Sequence, residues 1–215
     1  MSSEAHIPVL LDQVLEVLAP GPGQTLLDCT VGLGGHAEAV ASTIGPTGVA
    51  ILNDADPANL AAAAERIGRL PSPPRVETLR GNFAQAPRRL VELGLAADMV
   101  LADLGFASPQ MDDPSRGFSF RGDGPLDMRF DPEGPVTAAT LVNALSEREL
   151  GEILRDYGEE RLWRQVARKL VAEREASPIS TTSRFASIVR SVVGGRNGQS
   201  RIDPATRSFQ ALRIA

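Results

Sequence analysis

The 215-residue sequence predicts an α/β fold, a parallel sheet flanked by helices and followed by a region that is helical only. Short apolar runs alternate with amphipathic stretches through the first hundred residues, a glycine loop follows the first run, and after residue 107 the alternation stops. Residues 8–18 place Val9, Leu10, Val14, Leu15, Val17 and Leu18 at helical spacing. Residues 24–30 (QTLLDCT) form an apolar run that turns into Val31-Gly-Leu-Gly-Gly35, a strand and then a glycine loop. Residues 36–44 read as a helix stopped by Gly45-Pro46. Residues 48–53 (GVAILN) read as a second buried strand, and 57–70 as an alanine-rich helix with Pro57 in its first turn. A third strand over 75–79, a helix over 86–93 and a fourth strand over 98–103 complete the alternation, which implies right-handed β-α-β crossovers.

Residues 107–135 are rich in proline and glycine and carry no apolar period, which predicts a long functional or disordered loop. Ser146-Glu-Arg-Glu149 is a capping box that opens a helix to about Tyr157. Residues 159–175 form a second helix with Leu162, Val166, Ala167, Leu170 and Val171 on one face. Thr182 or Ser183 caps a third through Val193, residues 194–198 are a loop, and 205–215 open another helix. Residues 1–106 are therefore assigned to a sheet domain and 107–205 to a loop-rich, then α-helical domain inserted in it, with the sheet domain resuming from about 206. A four-strand sheet looks unfinished, so the chain reads as the N-terminal part of a longer protein.

Composition excludes several classes. With 42% hydrophobic and 23% charged residues the chain can build a core, which excludes a mostly disordered protein. No apolar run approaches a membrane span, and the first residues carry no secretory signal. The single Cys29 forms no internal disulfide, and a cytoplasmic location is expected. Two histidines and one cysteine give no ligand cluster, so no metal is expected. A net charge of −5 does not suggest nucleic acid, but its distribution does. Residues 1–160 carry 11 basic and 24 acidic side chains, whereas residues 161–215 carry 11 basic and 3 acidic, which points to an anionic partner for the basic part.

Four motifs carry chemistry. Asp28-Cys-Thr-Val-Gly32-Leu-Gly34-Gly35-His36 is a glycine loop after strand one, the position of a nucleotide site in a parallel sheet. Asp54 follows Gly32 by 22 residues, near the spacing at which an acid meets ribose hydroxyls. The loop lacks the last glycine of a dinucleotide fingerprint. The carboxylate of Asp28 favours a cationic ligand such as S-adenosylmethionine over NAD, although Asp28 capping the loop backbone is the alternative. Asp103-Leu-Gly-Phe-Ala-Ser108-Pro109-Gln110 puts a carboxylate at the end of strand four, facing the same crevice. From Arg116 to Arg129, phenylalanine and arginine alternate with glycine and aspartate. That pattern suits bases and phosphates, or equally a buried Phe and solvated Arg set.

Together with His6-x-Pro-Val-Leu-Leu, Gly81-Asn-Phe83, Arg116-Gly-Phe-Ser-Phe120, Asp123-Gly-Pro-Leu-Asp-Met-Arg129, Tyr157-Gly-Glu-Glu160 and Pro204-Ala-Thr-Arg-x-Phe-Gln-Ala-Leu-Arg-Ile214, these motifs resemble the bacterial 16S ribosomal RNA cytosine-N4 methyltransferases of the MraW type, over residues 6–214. The resemblance implies a Rossmann-like methyltransferase domain with a helical insertion, S-adenosylmethionine as cofactor, and methylation of a cytidine N4 in the decoding centre of the small ribosomal subunit. It implies cofactor contacts from Gly34, Gly35, His36, Asp54, Phe83, Asp103 and Gln110, with Phe83 against the adenine. Asp103 is the first candidate to accept hydrogen from the target amine and Ser108 a weaker one. Arg116, Phe118, Phe120, Arg121 and Arg129 are the candidates to hold RNA. Cys29 beside the loop is read as packing. The family continues for about a hundred residues past Ile214, and Asp203, Ala107 and Asn53 depart from its usual residues. Two rival readings stay open: a non-catalytic RNA-binding or ribosome-assembly relative that keeps the cofactor, and a nicotinamide-dependent oxidoreductase. The oligomeric state is open between a monomer and a homodimer.

Overall fold

The computed structural model describes residues 8–105, 108–194 and 202–215, the side chains of 108 and 109 excepted. The chain divides into two compact units, residues 1–107 and 108–215. The first unit runs α1 (Leu11–Leu18), β1 (Thr25–Asp28), α2 (Gly35–Ile44), β2 (Val49–Asp54), α3 (Pro57–Gly68), β3 (Arg75–Arg80), α4 (Ala86–Leu93) and β4 (Met99–Leu101). The strands lie in the order β3-β2-β1-β4 and every pairing is parallel; Leu26 of β1 sits beside Ala50 of β2 and Met99 of β4.

Alternation along the strands supplies two apolar faces. Leu26, Ala50 and Leu52 pack against Val40, Ala41 and Ile44 of α2 and Ala63 and Ile67 of α3. Leu27, Cys29, Ile51 and Leu79 face the other way, onto Ala86 and Leu90 of α4. Burial on both faces is why β1 and β2 read as continuous apolar runs. Cys29 is buried in this second cluster, as its packing reading expects. β4 ends two residues earlier than its apolar pattern suggests, and Asp98 instead joins its start to β1: its carboxylate accepts the Thr25 N–H at 2.7 Å.

The second unit holds α5 (Ser108–Asp112), α6 (Ala138–Ala144), α7 (Glu147–Asp156), α8 (Trp163–Ala176), α9 (Thr182–Val193) and α10 (Thr206–Ile214). Side-chain caps set three starts: Thr137 caps α6, Ser146 with Glu149 caps α7, and Thr181 caps α9. Two expectations are corrected here. The segment from 206 does not resume the sheet; Phe209, Ala211 and Leu212 of α10 are buried in the helical core with Phe185, Val189 and Leu150. The proline- and glycine-rich stretch is irregular over most of its length, as expected of a loop, but it is packed rather than disordered where it is described. Phe118, Leu126 and Met128 enter the same core. Its backbone is tied down at Leu126 and Asp127, with Leu126 N–H donating to the Ser180 carbonyl at 2.9 Å and Ala138 and Ala139 N–H donating to the Asp127 and Leu126 carbonyls at 2.7 Å. Gly117 is obligatory at one crossing, since a Cβ there would lie 2.1 Å from the Pro125 carbonyl oxygen. The expected loop over 194–198 lies, apart from Gly194, outside the described residues, as do His6 and Ala107. No helix among the described residues is long and apolar enough to cross a membrane.

Candidate active site

In a parallel sheet the ligand crevice opens at the carboxyl ends of the strands, where the chain order reverses. Here that reversal falls at β1, with β2 on one side and β4 on the other. Asp28 ends β1, Asp54 ends β2 and Asp103 follows β4.

The strand ends are fixed by a small set of hydrogen bonds. Asn53 is buried, and its Nδ2 donates to the Cys29 carbonyl at 3.0 Å and to the Gly81 carbonyl at 3.1 Å. It thereby partners two carbonyls that leave the ladder where β1 and β3 finish. Thr30 Oγ1 accepts the Asp103 N–H at 2.8 Å and holds the start of the β4 loop beside β1. Asp54 accepts from Gly32 N–H at 2.9 Å, Asp56 N–H at 2.9 Å and Asn59 Nδ2 at 3.2 Å. A carboxylate offers about four acceptor positions, so these three bonds leave Asp54 one open. Sequence reasoning gave Asp54 only the ribose; its anchoring of the glycine loop was missed.

The glycines also have an unexpected use. Gly34 has φ +79°, and a Cβ on it would lie 2.9 Å from Cα and Cβ of Ala63 in α3. A Cβ on Gly35 would lie 2.5 Å from Pro8. Both glycines allow close packing of chain on chain, independent of any ligand. His36 Nε2 lies 2.9 Å from the Val9 carbonyl oxygen and donates to it, pinning the segment before α1 to the start of α2.

Asp28 is 2% exposed and accepts the Thr30 N–H at 3.1 Å. Burial pushes its carboxyl up to about 7; the Thr30 N–H opposes this, while the charges of Asp54 and Asp103 raise it further. Asp28 thus caps the loop backbone, and among the described residues no ion pair engages it. Asp103 is exposed, and Phe83 is 42% exposed in a short 3₁₀ turn whose start Asn82 caps, accepting the Ala84 N–H at 2.8 Å. Among the described residues no cluster of three or more metal-ligating side chains occurs.

The remaining candidates lie in the second unit. Gln110 is buried on α5, and Ser108 begins that helix with its side chain outside the description. Of the RNA candidates, Phe118 is fully buried and packs against Phe130, ring centres 5.2 Å apart and planes tilted by 53°, so it is a core residue with no face to offer a base. Phe120 is half-buried, edge-on to Phe209 at 4.7 Å. Arg116 donates to the Arg129 and Phe130 carbonyls, and Arg129 forms a two-pronged pair with Asp127 and donates to the Gly134 carbonyl. Only Arg121 of the five is exposed.

A parallel sheet with a glycine loop after β1 and carboxylates at the switch point defines a Rossmann-like α/β protein. Residues 3–215 match the MraW methylase family, and the chain belongs to it. It is 48% identical over its whole length to a ribosomal RNA small subunit methyltransferase H of Granulibacter bethesdensis, covering 63% of that protein. It is 46% identical over 98% of its length to the protein of the same name from Trichlorobacter lovleyi, covering 67% of it. The Thermomicrobium roseum namesake is 46% identical over 99% of this chain and covered to 64%. The chain thus spans about two thirds of the length of the curated relatives it matches.

Proposed function

We propose that the protein transfers a methyl group from S-adenosylmethionine to the N4 amine of a cytidine in the decoding centre of 16S ribosomal RNA, in the cytoplasm. The observation that carries the reading is the set of carboxylates Asp28, Asp54 and Asp103 at the carboxyl ends of adjacent parallel strands. An anionic crevice disfavours a pyrophosphate and fits a ligand with an ammonium and a sulfonium. Gly34, Gly35 and His36 in the loop, Asp54 toward the ribose, Phe83 toward the adenine, and Asp103 are the residues of the first unit proposed to hold it.

When bound, S-adenosylmethionine supplies a methyl group already activated by its positive sulfur. The chain's task is then placement and proton management. The cytosine amine is a poor nucleophile because its lone pair is delocalised into the ring. Asp103, exposed at the crevice, accepts a hydrogen bond from that amine, favours its pyramidal form and stabilises the positive charge that builds on nitrogen as the new C–N bond forms. The amine proton then passes to Asp103 or to solvent. The target base leaves its stack to reach the crevice.

The test is calorimetric titration with S-adenosylhomocysteine, with NADH as control, followed by transfer of labelled methyl to small subunits that lack the modification. Binding of S-adenosylhomocysteine alone and label on 16S RNA are expected. Binding of NADH alone overturns the cofactor assignment. Binding without transfer favours the non-catalytic RNA-binding reading.

A further inference from the structure

We infer that the arginine face at the start of α8, formed by Arg161, Arg164 and Arg168, is a phosphate-contact surface for RNA, with Trp163 as the positioning residue for Arg164. This rests on the RNA-substrate reading above and gives it a surface. Of the three arginines first expected to hold RNA, Arg116 and Arg129 donate within their own loop and Arg121 alone is exposed.

Residues 161–169 (RLWRQVARK) hold four cations and no acid. Val166, Ala167 and Leu170 bury one face of α8. Arg164 and Arg168 stand away from it, about 40° apart around the axis and roughly 6 Å apart along it. Arg161 lies in the turn just before the helix, and all three are exposed. Arg168 approaches Glu147 at 3.5 Å with 74% of its side chain exposed. Among the described residues, no hydrogen bond or ion pair engages the side chain of Arg161 or Arg164.

An unpaired arginine is often no more than a solvated surface group. Here the second observation is the seat built under one of them. The Arg164 guanidinium lies 3.9 Å from the centre of the Trp163 ring. The ring in turn rests on Gly151 of α7, where a Cβ would lie 2.8 Å from two ring carbons. Glycine inside a helix is destabilising, and its place on α7 provides the room for the indole. A guanidinium stacked on an aromatic face keeps its N–H edges outward, in the fork that matches phosphate oxygens. Because the ring holds it, less side-chain freedom is lost on binding. Arg155 also lies over the ring, at 5.4 Å, but its donors go to Asp156.

The experiment is filter binding of unmodified 16S ribosomal RNA to the purified chain across a salt series, with S-adenosylhomocysteine binding and circular dichroism as checks of the fold. Arg161→Gln/Arg164→Gln removes two phosphate contacts. The slope of log K against log salt is expected to become shallower by about 1.4–1.8, with affinity at low salt down roughly tenfold. Arg161→Lys/Arg164→Lys is expected to keep the wild-type slope and recover only part of the affinity. Trp163→Leu keeps the slope and weakens binding several-fold. Arg69→Gln/Arg88→Gln, the same charge change on exposed arginines of the first unit, leaves the slope unchanged. A wild-type slope in Arg161→Gln/Arg164→Gln, or an equal loss in Arg69→Gln/Arg88→Gln, overturns the inference while leaving the RNA-substrate reading intact. A wild-type chain that binds S-adenosylhomocysteine but no RNA overturns both.

Discussion

Replacing Asp28 by Asn tests the electrostatics of the crevice directly. The carboxyl has its pKa raised from 3.8 to about 7, chiefly by burial. Between those values the folded state binds the proton more tightly than the unfolded chain, so stability falls as pH rises through that window and levels off above about 7. Three units correspond to about 4 kcal/mol in full, and most of it, about 3 kcal/mol, accrues between pH 5 and pH 8. Asn keeps the oxygen that accepts the Thr30 N–H and carries no charge, so the variant lacks this pH-dependent cost. Trp163, the single tryptophan, lies in the helical unit and does not report on the sheet. Hydrogen exchange of the β1 and β2 amides is the appropriate readout. At each pH, Asp28→Asn is compared with wild type, and its advantage should grow by about 3 kcal/mol from pH 5 to pH 8. The same difference at both pH values, or a smaller one at pH 8, would refute the assignment. A cation bound beside Asp28 should also expel its proton. The calorimetric enthalpy of S-adenosylmethionine binding near pH 7 should then depend on the buffer's ionisation heat in wild type, and not in Asp28→Asn.

Four further outcomes are expected. Gly34→Ala, at φ +79° and with Ala63 of α3 in the way, should destabilise the sheet unit by about 2–4 kcal/mol in urea unfolding. Asn53→Leu leaves the Cys29 and Gly81 carbonyls without their side-chain donor and should lower stability by about 2 kcal/mol by the same assay. Gly151→Ala should displace the Trp163 ring and red-shift its fluorescence, at a cost of about 1–3 kcal/mol. The carboxyl of Asp127 is held low by its hydrogen bonds to Arg129. It therefore contributes stability that is present above the ordinary aspartate pKa and lost as the pH falls below it. Asp127→Asn should abolish that acid-side loss in a pH series of unfolding curves.

The sheet was legible because its physics is local. Strands buried on both faces read as apolar runs, helices between them show their 3.6-residue period, and Gly45, Pro57 and Gly94 mark the ends. Positions of the three crevice carboxylates followed from those boundaries. What was not legible depends on contacts distant in sequence. Phe118, Leu126 and Met128 have no periodicity, because each reaches the core singly from a backbone tied to Ser180 and to α6. Arg116 and Arg129 look like phosphate ligands until their carbonyl and carboxylate partners are in place. Gly34 looks like a ligand-approach glycine, and only the position of Ala63 shows that it also serves packing. The α6 helix was hidden by its shortness, although Thr137 and Thr140 form a reciprocal cap that could have marked it.

The aromatic contacts of the helical core bear on the order in which the chain folds during synthesis. Phe209 of α10 touches both Phe120, at 4.7 Å, and Phe185, at 5.3 Å. The core that encloses residue 118 therefore lacks its far wall until residue 212 has left the ribosome, whereas the four described strands lie within residues 25–101. Translation thus presents a folded sheet unit followed by a long nascent segment with its phenylalanines uncovered. Loop closure over that span sets the rate at which the second unit forms, and a translational pause just before α10 would lengthen the interval in which it needs a chaperone.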